Sequence, residues 1–175
     1  MRPVYFDTHT HTHFSAFDND RDEVIKKAFD AGVWMINIGS NTETSKGAVR
    51  LAEKYKEGVY AVIGIHPSHA DRNDKGGVKE DGGYDPFNEE TFLNMAKSDK
   101  VFAIGECGLE YYDNGAEDRE EQKNLFISQI HLCKKLKKPI VIHCRNAYQD
   151  TYEILKAERD SLPDIPGVMH FFSCF

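Results

Sequence analysis

Residues 101–105 read VFAIG, a continuous apolar run that is followed at once by a carboxylate, Glu106. Similar runs recur at residues 4–7, 35–39, 60–65, 139–143 and 168–172. Strands without an alternation of apolar and polar residues are typical of parallel sheets that are buried on both faces. The sequence therefore predicts an α/β protein with six parallel strands.

The segments between these runs have the apolar period of helices. Asp20 and Glu23 resemble a capping box at the start of one helix, and Gly32 fits its end. A longer helix is predicted over residues 118–137, with acidic residues first and lysines last, as the helix dipole favours. Residues 71–86 break the alternation with four glycines and eight charged residues, and we expect a surface loop or lid there.

The composition excludes several classes of protein. The 22 basic and 29 acidic side chains give a net charge of −7, so attraction to a polyanion should be weak unless bound cations mediate it. The first residues do not resemble a secretory leader, and no apolar run is long enough to span a bilayer. The four cysteines form neither a C-x-x-C pair nor a disulfide framework. We expect a single soluble domain in the cytoplasm.

Polar side chains that can bind a metal or a substrate lie at the ends of the predicted strands. They are Asp7, His9, His11, His66, Glu106, His143, Arg145 and His170. In parallel α/β barrels the carboxyl ends of the strands form the active-site face. Residues i and i+2 of a strand point to the same side, so His9 and His11 can face one ion.

Four of these histidines and one carboxylate form a coherent set of metal ligands: His9, His11, Glu106, His143 and His170. Nitrogen and oxygen donors without thiolates favour zinc, manganese or another borderline metal, while magnesium tolerates many imidazoles less well. Such a set can serve two ions that share Glu106. A carboxylate between two metals about 3.5–4 Å apart supports in-line displacement at phosphorus by an activated hydroxide.

Five short motifs connect the chain to a known family. They are FDTHTH at residues 6–11, GIHP at 64–67, IGECGLEYY at 104–112, PIVIHCRNA at 139–147 and MHFF at 169–172. Together they resemble the TatD family of metal-dependent nucleases along the whole chain. The resemblance implies a (β/α)8 barrel of the amidohydrolase type, two divalent metal ions (Zn, Mn or Mg) and 3′ to 5′ exonuclease activity on DNA or RNA ends.

The resemblance also implies a role for each ligand. His9 and His11 would bind one metal ion, and His143 and His170 would bind the second. Glu106 would bridge the two ions and act as the catalytic carboxylate.

Residues beside the ligands are assigned less directly. The resemblance implies that His66 and Arg145 contact the phosphate of the substrate, for which Arg offers a bidentate fork and His a single donor. Where the family usually reads GLD, this chain has Glu110, whose extra methylene weakens the expectation that it supports a metal ligand. Tyr111 and Tyr112 are expected either to stack on a base or sugar or to anchor the loop.

Other reactive side chains are expected to lie outside the site. Cys107 and Cys144 lie within the motifs, but neither has an evident base, and we interpret both as packing residues. His13 and His69 are predicted to be loop residues, and His131 a helix residue.

Members of the resembled family continue for two further βα units, which supply a metal-binding Asp. Residues 1–175 are therefore expected to be one TatD-like domain with about six βα units that lacks the last two. An open sheet of this kind leaves strand edges unpaired, so we expect low stability and little activity from these residues alone.

Three other interpretations remain open. The first is a phosphoesterase of the PHP type, whose first motif also resembles D-x-H-T-H. The second is a TatD-like deacylase of mischarged transfer RNA, which keeps the fold and changes the bond that is cleaved. The third is a truncated domain that binds metal or nucleic acid without turnover.

Overall fold

The computed structural model describes residues 2–72, 83–112 and 118–170. Its centre is a sheet of six parallel strands, in which each strand pairs with the next one along the chain. The strands are β1 (Tyr5–Thr10), β2 (Val33–Ile38), β3 (Val59–Ile63), β4 (Val101–Glu110), β5 (Ile140–Arg145) and β6 (Gly167–His170). The predicted α/β fold with six parallel strands is confirmed.

A helix lies between each strand and the next. The helices are α1 (Arg21–Asp30), α2 (Thr42–Glu53), α3 (Glu89–Met95), α4 (Arg119–Leu136) and α5 (Tyr148–Ala157). Short 3-10 turns occur at Ser15–Phe17, Pro67–His69 and Arg159–Ser161. Among the described residues, none of the helices combines the length and the apolar character that crossing a membrane requires.

The core has one layer on each face of the sheet. The larger layer joins strand residues such as Ile104 to helix residues such as Phe126 and Ile130 of α4. The smaller layer lies on the face that the helices leave uncovered, and it consists of Ile36, Ile38, Val62, Ala103 and Val141. Because both faces carry apolar side chains, the strands read as continuous apolar runs in the sequence.

The sheet is curled, so that its two outer strands approach each other at their carboxyl ends. His9 of β1 and His170 of β6 stack with ring centroids 3.5 Å apart, although the two strands are not neighbours in the sheet. The fold is therefore a curled half-barrel in which the carboxyl ends of all six parallel strands lie at the same end.

Two strands extend further than the apolar runs predict. β4 continues from residue 105 through Glu110, so Glu106 lies inside the strand and not beyond it. β1 reaches Thr10, which places His9 within the strand and His11 directly after it. The polar residues continue the backbone pairing even though they end the apolar run. Residues 171–172 of the last predicted strand and residues 73–82 of the predicted lid lie outside the described residues.

The predicted capping box of α1 is wrong. Asp20 is the N-cap residue, but its side chain makes no capping hydrogen bond, because its backbone (φ −138°, ψ 6°) is not in the extended conformation that capping requires. A capping box does form at α2, where the extended Asn41 accepts the backbone N–H of Thr44 at 2.9 Å. α2 is thereby fixed directly after the carboxyl end of β2.

Candidate metal centre

The candidate ligands meet at the carboxyl edge of the sheet. His9 comes from β1, Glu106 from β4, and His143 and His170 from β5 and β6. His11 follows β1. Because the strands are parallel, side chains that are far apart in the sequence are carried to one edge.

Glu106 is the centre of this cluster. It is 7% exposed, and its two oxygens face different histidines: Oε2 lies 3.2 Å from Nε2 of His9, and Oε1 lies 2.8 Å from Nδ1 of His143. Burial raises the pKa of Glu106, but the hydrogen bonds with His143 and His9 outweigh burial and hold the pKa below its usual range. Glu106 is therefore an ionised carboxylate that faces two groups of imidazoles.

Two groups of three ligand atoms share this carboxylate. The first consists of His9, Glu106 and His170, and the second of His66, Glu106 and His143. The ligand atoms of each group lie within 4.8 Å of one another. Nitrogen and carboxylate donors in this arrangement suit a borderline divalent ion, and the shared carboxylate suits a pair of ions.

His170 lies closer to the first group than the resemblance implies. Its ring stacks on that of His9 with an interplanar angle of 11°. Burial and the neighbouring charge of His9 lower the pKa of His170. The neutral imidazole that results is the form that binds a metal ion.

His11 is oriented by the backbone of β2. Its Nδ1 lies 3.0 Å from the carbonyl oxygen of Ile38, which can only accept, so Nδ1 carries the proton and Nε2 keeps its lone pair. Burial, followed by the charge of His9, lowers the pKa of His11. The rings of His9 and His11 are 5.1 Å apart, but His11 is outside both groups of close ligand atoms.

His143 is held between two carboxylates. Its Nε2 lies 2.9 Å from Oε2 of Glu110, on the side opposite Glu106. Burial lowers the pKa of His143, but the hydrogen bonds and charges of Glu106 and Glu110 outweigh burial and raise the pKa. Both ring nitrogens of His143 face a carboxylate, so both donate. If a metal ion took the position beside Nδ1, the carboxylate of Glu110 would hold the proton on Nε2 and leave the Nδ1 lone pair for the ion.

His66 belongs to this second group and lies beside His143. The rings of His66 and His143 are 4.2 Å apart, and burial together with the charge of His143 lowers the pKa of His66 to about 3. Its Nδ1 accepts the backbone N–H of Ser68 at 3.2 Å, which leaves the proton of the neutral ring on Nε2. His66 therefore presents an N–H donor towards the cluster.

Arg145 lies at the end of β5, beside Glu110. Its Nη1 is 3.9 Å from Oε2 of Glu110, and its guanidinium group lies 3.9 Å from the ring centre of Tyr112. Its side chain is 45% exposed, so the guanidinium borders solvent at the edge of the cluster.

Other histidines and cysteines of the described chain have separate structural contacts. Nδ1 of His13 lies 3.2 Å from Oδ1 of Asn37, and Nδ1 of His69 donates to the carbonyl of Gly83 at 2.6 Å. His131 contacts Glu158 at 2.9 Å on the surface. Cys107 and Cys144 are buried in the core, and burial raises the pKa of Cys107 well above its ordinary value, so Cys107 stays a protonated thiol. His131 lies in α4 and the two cysteines pack in the core, as the sequence predicts, whereas His69 is buried within the 3-10 turn Pro67–His69 and is not a loop residue.

The curled parallel sheet and the cluster of histidines around Glu106 at its strand ends are the features of a parallel α/β barrel with its site at the carboxyl ends of the strands. A family model described as TatD related DNase matches residues 6–174, and the chain belongs to this family. The predicted resemblance is confirmed, and the family match favours TatD over the PHP alternative.

Named relatives agree with this assignment. The chain is 32% identical over 169 residues to the 3′-5′ ssDNA/RNA exonuclease TatD of Escherichia coli K12, a match that covers 96% of this chain and 59% of that protein. It is 35% identical over 174 residues to the uncharacterized metal-dependent hydrolase YabD of Bacillus subtilis, with 97% and 61% covered. The chain therefore spans about three fifths of the length of these relatives.

Solved structures confirm the fold. The TatD homologue YjjV of Escherichia coli K12 superposes with a TM-score of 0.76 at 28% identity, over 98% of this chain and 61% of that one. A TatD family hydrolase of Entamoeba histolytica superposes with a TM-score of 0.79 at 24% identity, over 99% and 60%. The six parallel strands thus match part of the barrel of TatD proteins.

Proposed function

We propose that this protein is a metal-dependent hydrolase that cleaves phosphodiester bonds at the 3′ ends of single-stranded DNA or RNA. The observation that carries the proposal is the buried Glu106, whose two oxygens face two different histidines at the strand ends. The preference for nucleic acid and the 3′ to 5′ direction are supported by the names of the relatives.

We assign two divalent ions, zinc, manganese or magnesium, to this centre. The proposed ligands are His9, His11, Glu106, His143 and His170, with Glu106 as the bridge. When bound, such ions supply an activated hydroxide and neutralise charge on the phosphoryl oxygens. The stacking of His170 on His9 supports a role for His170 as a ligand of the ion that His9 binds. The resemblance implies that His170 binds the ion of His143, and we keep both assignments open to the test below.

Protein groups around the ligands orient both the centre and the substrate. Glu110 holds the far nitrogen of His143, and the carbonyl of Ile38 holds that of His11. His66 offers its Nε2 proton to a phosphate oxygen, because Nδ1 is occupied by the backbone N–H of Ser68. Arg145 provides a charged fork for the same phosphate at the solvent edge.

The expected partners are nucleic-acid ends or nucleotides. The net charge of −7 gives no general attraction for a polyanion, so the metal ions and Arg145 must supply it locally. A reducing cytoplasmic location is supported by the buried free thiols of Cys107 and Cys133.

The proposal is tested with 5′-labelled single-stranded DNA and RNA on the protein extended by the two βα units that residues 1–175 are expected to lack. We expect stepwise loss of 3′ nucleotides, abolition by chelator, and recovery with manganese or magnesium. Glu106→Gln should lower the rate by more than about 100-fold, since it affects the shared ligand of both ions. Glu120→Gln makes the same change of charge at a side chain that is 78% exposed, and it should leave the rate unchanged.

Other outcomes would contradict the proposal in distinct ways. A loss of only a few-fold in Glu106→Gln would exclude the bridging role. Hydrolysis of aminoacyl esters without hydrolysis of phosphodiesters would favour the deacylase. Metal or nucleic-acid binding without turnover of either substrate would favour the non-catalytic domain.

A further inference from the structure

Tyr112 is the second residue after β4 and exposes 61% of its surface. Its neighbour Tyr111 is anchored: the hydroxyl donates to Oδ2 of Asp150 at 2.8 Å, Arg119 lies 4.4 Å from the ring centre, and the ring packs against the main core. Of the two tyrosines in the IGECGLEYY motif, Tyr112 is thus the one that presents its ring to solvent.

Tyr112 is held in place although it is exposed. Its backbone N–H donates to Oε1 of Glu110 at 2.8 Å, and the backbone N–H of Tyr111 donates to the carbonyl of Arg145 at 2.9 Å. The guanidinium of Arg145 lies 3.9 Å from the centre of the Tyr112 ring and covers one of its faces. An exposed aromatic ring that is fixed at the backbone and on one face is prepared to stack on a flat partner with the other.

The chemistry next to this ring indicates what the partner is. Glu110 accepts the backbone N–H of Tyr112 with one oxygen and contacts His143 with the other, so the backbone of Tyr112 lies two hydrogen bonds from a proposed metal ligand. The chain has a net charge of −7, so attraction between charges alone holds a nucleic-acid strand poorly. Stacking on aromatic rings holds bases without regard to their sequence.

We propose that the outer face of Tyr112 stacks on a nucleobase at the 3′ end of the substrate, while Arg145 binds the adjoining phosphate. This inference rests on the proposed function and specifies its substrate as a strand that carries a base at its end. Tyr111 takes no part in this contact and anchors the segment.

The test compares two single-stranded oligonucleotides that differ only in whether the 3′-terminal nucleotide and its neighbour carry bases or are abasic. Stacking of one base on one ring contributes roughly 5- to 150-fold in affinity. Tyr112→Leu should therefore lower kcat/KM by about that factor on the intact end and by less than about twofold on the abasic end. Tyr112→Phe keeps the ring and should therefore retain the preference for the intact end over the abasic end.

A second readout avoids turnover. Fluorescence anisotropy in the presence of EDTA measures the Kd of both oligonucleotides, and Tyr112→Leu should remove the preference for the intact end. Tyr111→Phe is the matched control: it loses the hydrogen bond to Asp150, and any effect should be equal on both oligonucleotides.

The outcomes separate the inference from the proposed function. Equal losses on the intact and the abasic end in Tyr112→Leu would show that Tyr112 only supports Arg145, and would overturn the inference while the exonuclease proposal stands. Failure of the parent protein to hydrolyse either oligonucleotide would overturn the proposed function and the inference with it.

Discussion

Replacing Glu110 by Gln should weaken metal binding through a change in the tautomer of His143. Each oxygen of Glu110 accepts one N–H: Oε1 from the backbone of Tyr112 at 2.8 Å, and Oε2 from Nε2 of His143 at 2.9 Å. A Gln side chain has only one acceptor oxygen for these two donors. When that oxygen accepts the backbone N–H of Tyr112, the NH₂ group of Gln faces Nε2 of His143, and Nε2 must accept. The proton of the neutral ring is then on Nδ1, the nitrogen that lies 2.8 Å from Glu106 and is proposed to bind the ion.

The size of the effect follows from the position of Glu110 behind the ligand. Loss of such a supporting carboxylate typically weakens metal affinity by about 10- to 100-fold, or about 1.4–2.7 kcal/mol. Glu110→Asp keeps both acceptor oxygens on a side chain that is one methylene shorter, and its loss should be smaller. Glu120→Gln again controls for the change in net charge, because exposed charges contribute little.

Competition with a chromophoric chelator measures the Kd for manganese or zinc in each variant. A Kd for Glu110→Gln within twofold of the parent value would refute the reasoning.

Three further predictions concern stability and substrate binding. Burial lowers the pKa of His13 to about 4, so the unfolded chain binds the proton more readily between about pH 6.5 and pH 4, and stability falls as the pH is lowered through that window. Urea unfolding of the metal-free protein measures the free energy of unfolding at pH 7 and at pH 5. The decrease in this free energy between the two pH values should be smaller by about 2 kcal/mol in His13→Gln than in the parent protein. An equal decrease in both proteins would contradict the lowered pKa of His13. Gly108 has φ +141°, and a Cβ there would clash with the carbonyl of His143. Gly108→Ala should therefore destabilise the folded protein by about 1–3 kcal/mol or more, which lowers the melting temperature. An unchanged melting temperature would contradict this prediction. Arg145→Lys keeps the charge but loses the fork, so KM for oligonucleotides should rise about tenfold with little change in kcat, and a fall in kcat alone would exclude the proposed phosphate contact.

The sequence predicts the sheet and the position of the ligands for one physical reason. Continuous apolar runs indicate parallel strands, and the carboxyl ends of parallel strands share one edge, so polar residues that follow the runs must come close together. His9, Glu106, His143 and His170 lie together in the structure as this reasoning requires. The position of these residues along one edge of the sheet follows from topology.

The contacts within the site depend on details that the sequence does not contain. Glu110 reaches His143 because β4 continues past Glu106 and pairs with β5 in a register that sets Gly108 opposite His143. The curl of the sheet, which brings His170 onto His9, results from the packing of the whole sheet. Tertiary packing also decides between Tyr111, which is anchored, and Tyr112, which is exposed.

The central claim is that Glu106 bridges two metal ions. Anomalous scattering from crystals that contain manganese tests it most directly. We predict two peaks about 3.5–4 Å apart, each within coordination distance of one oxygen of Glu106, with His9 beside the first and Nδ1 of His143 beside the second. A single ion that contacts only one of these histidines, or ions that do not contact Glu106, would contradict the claim.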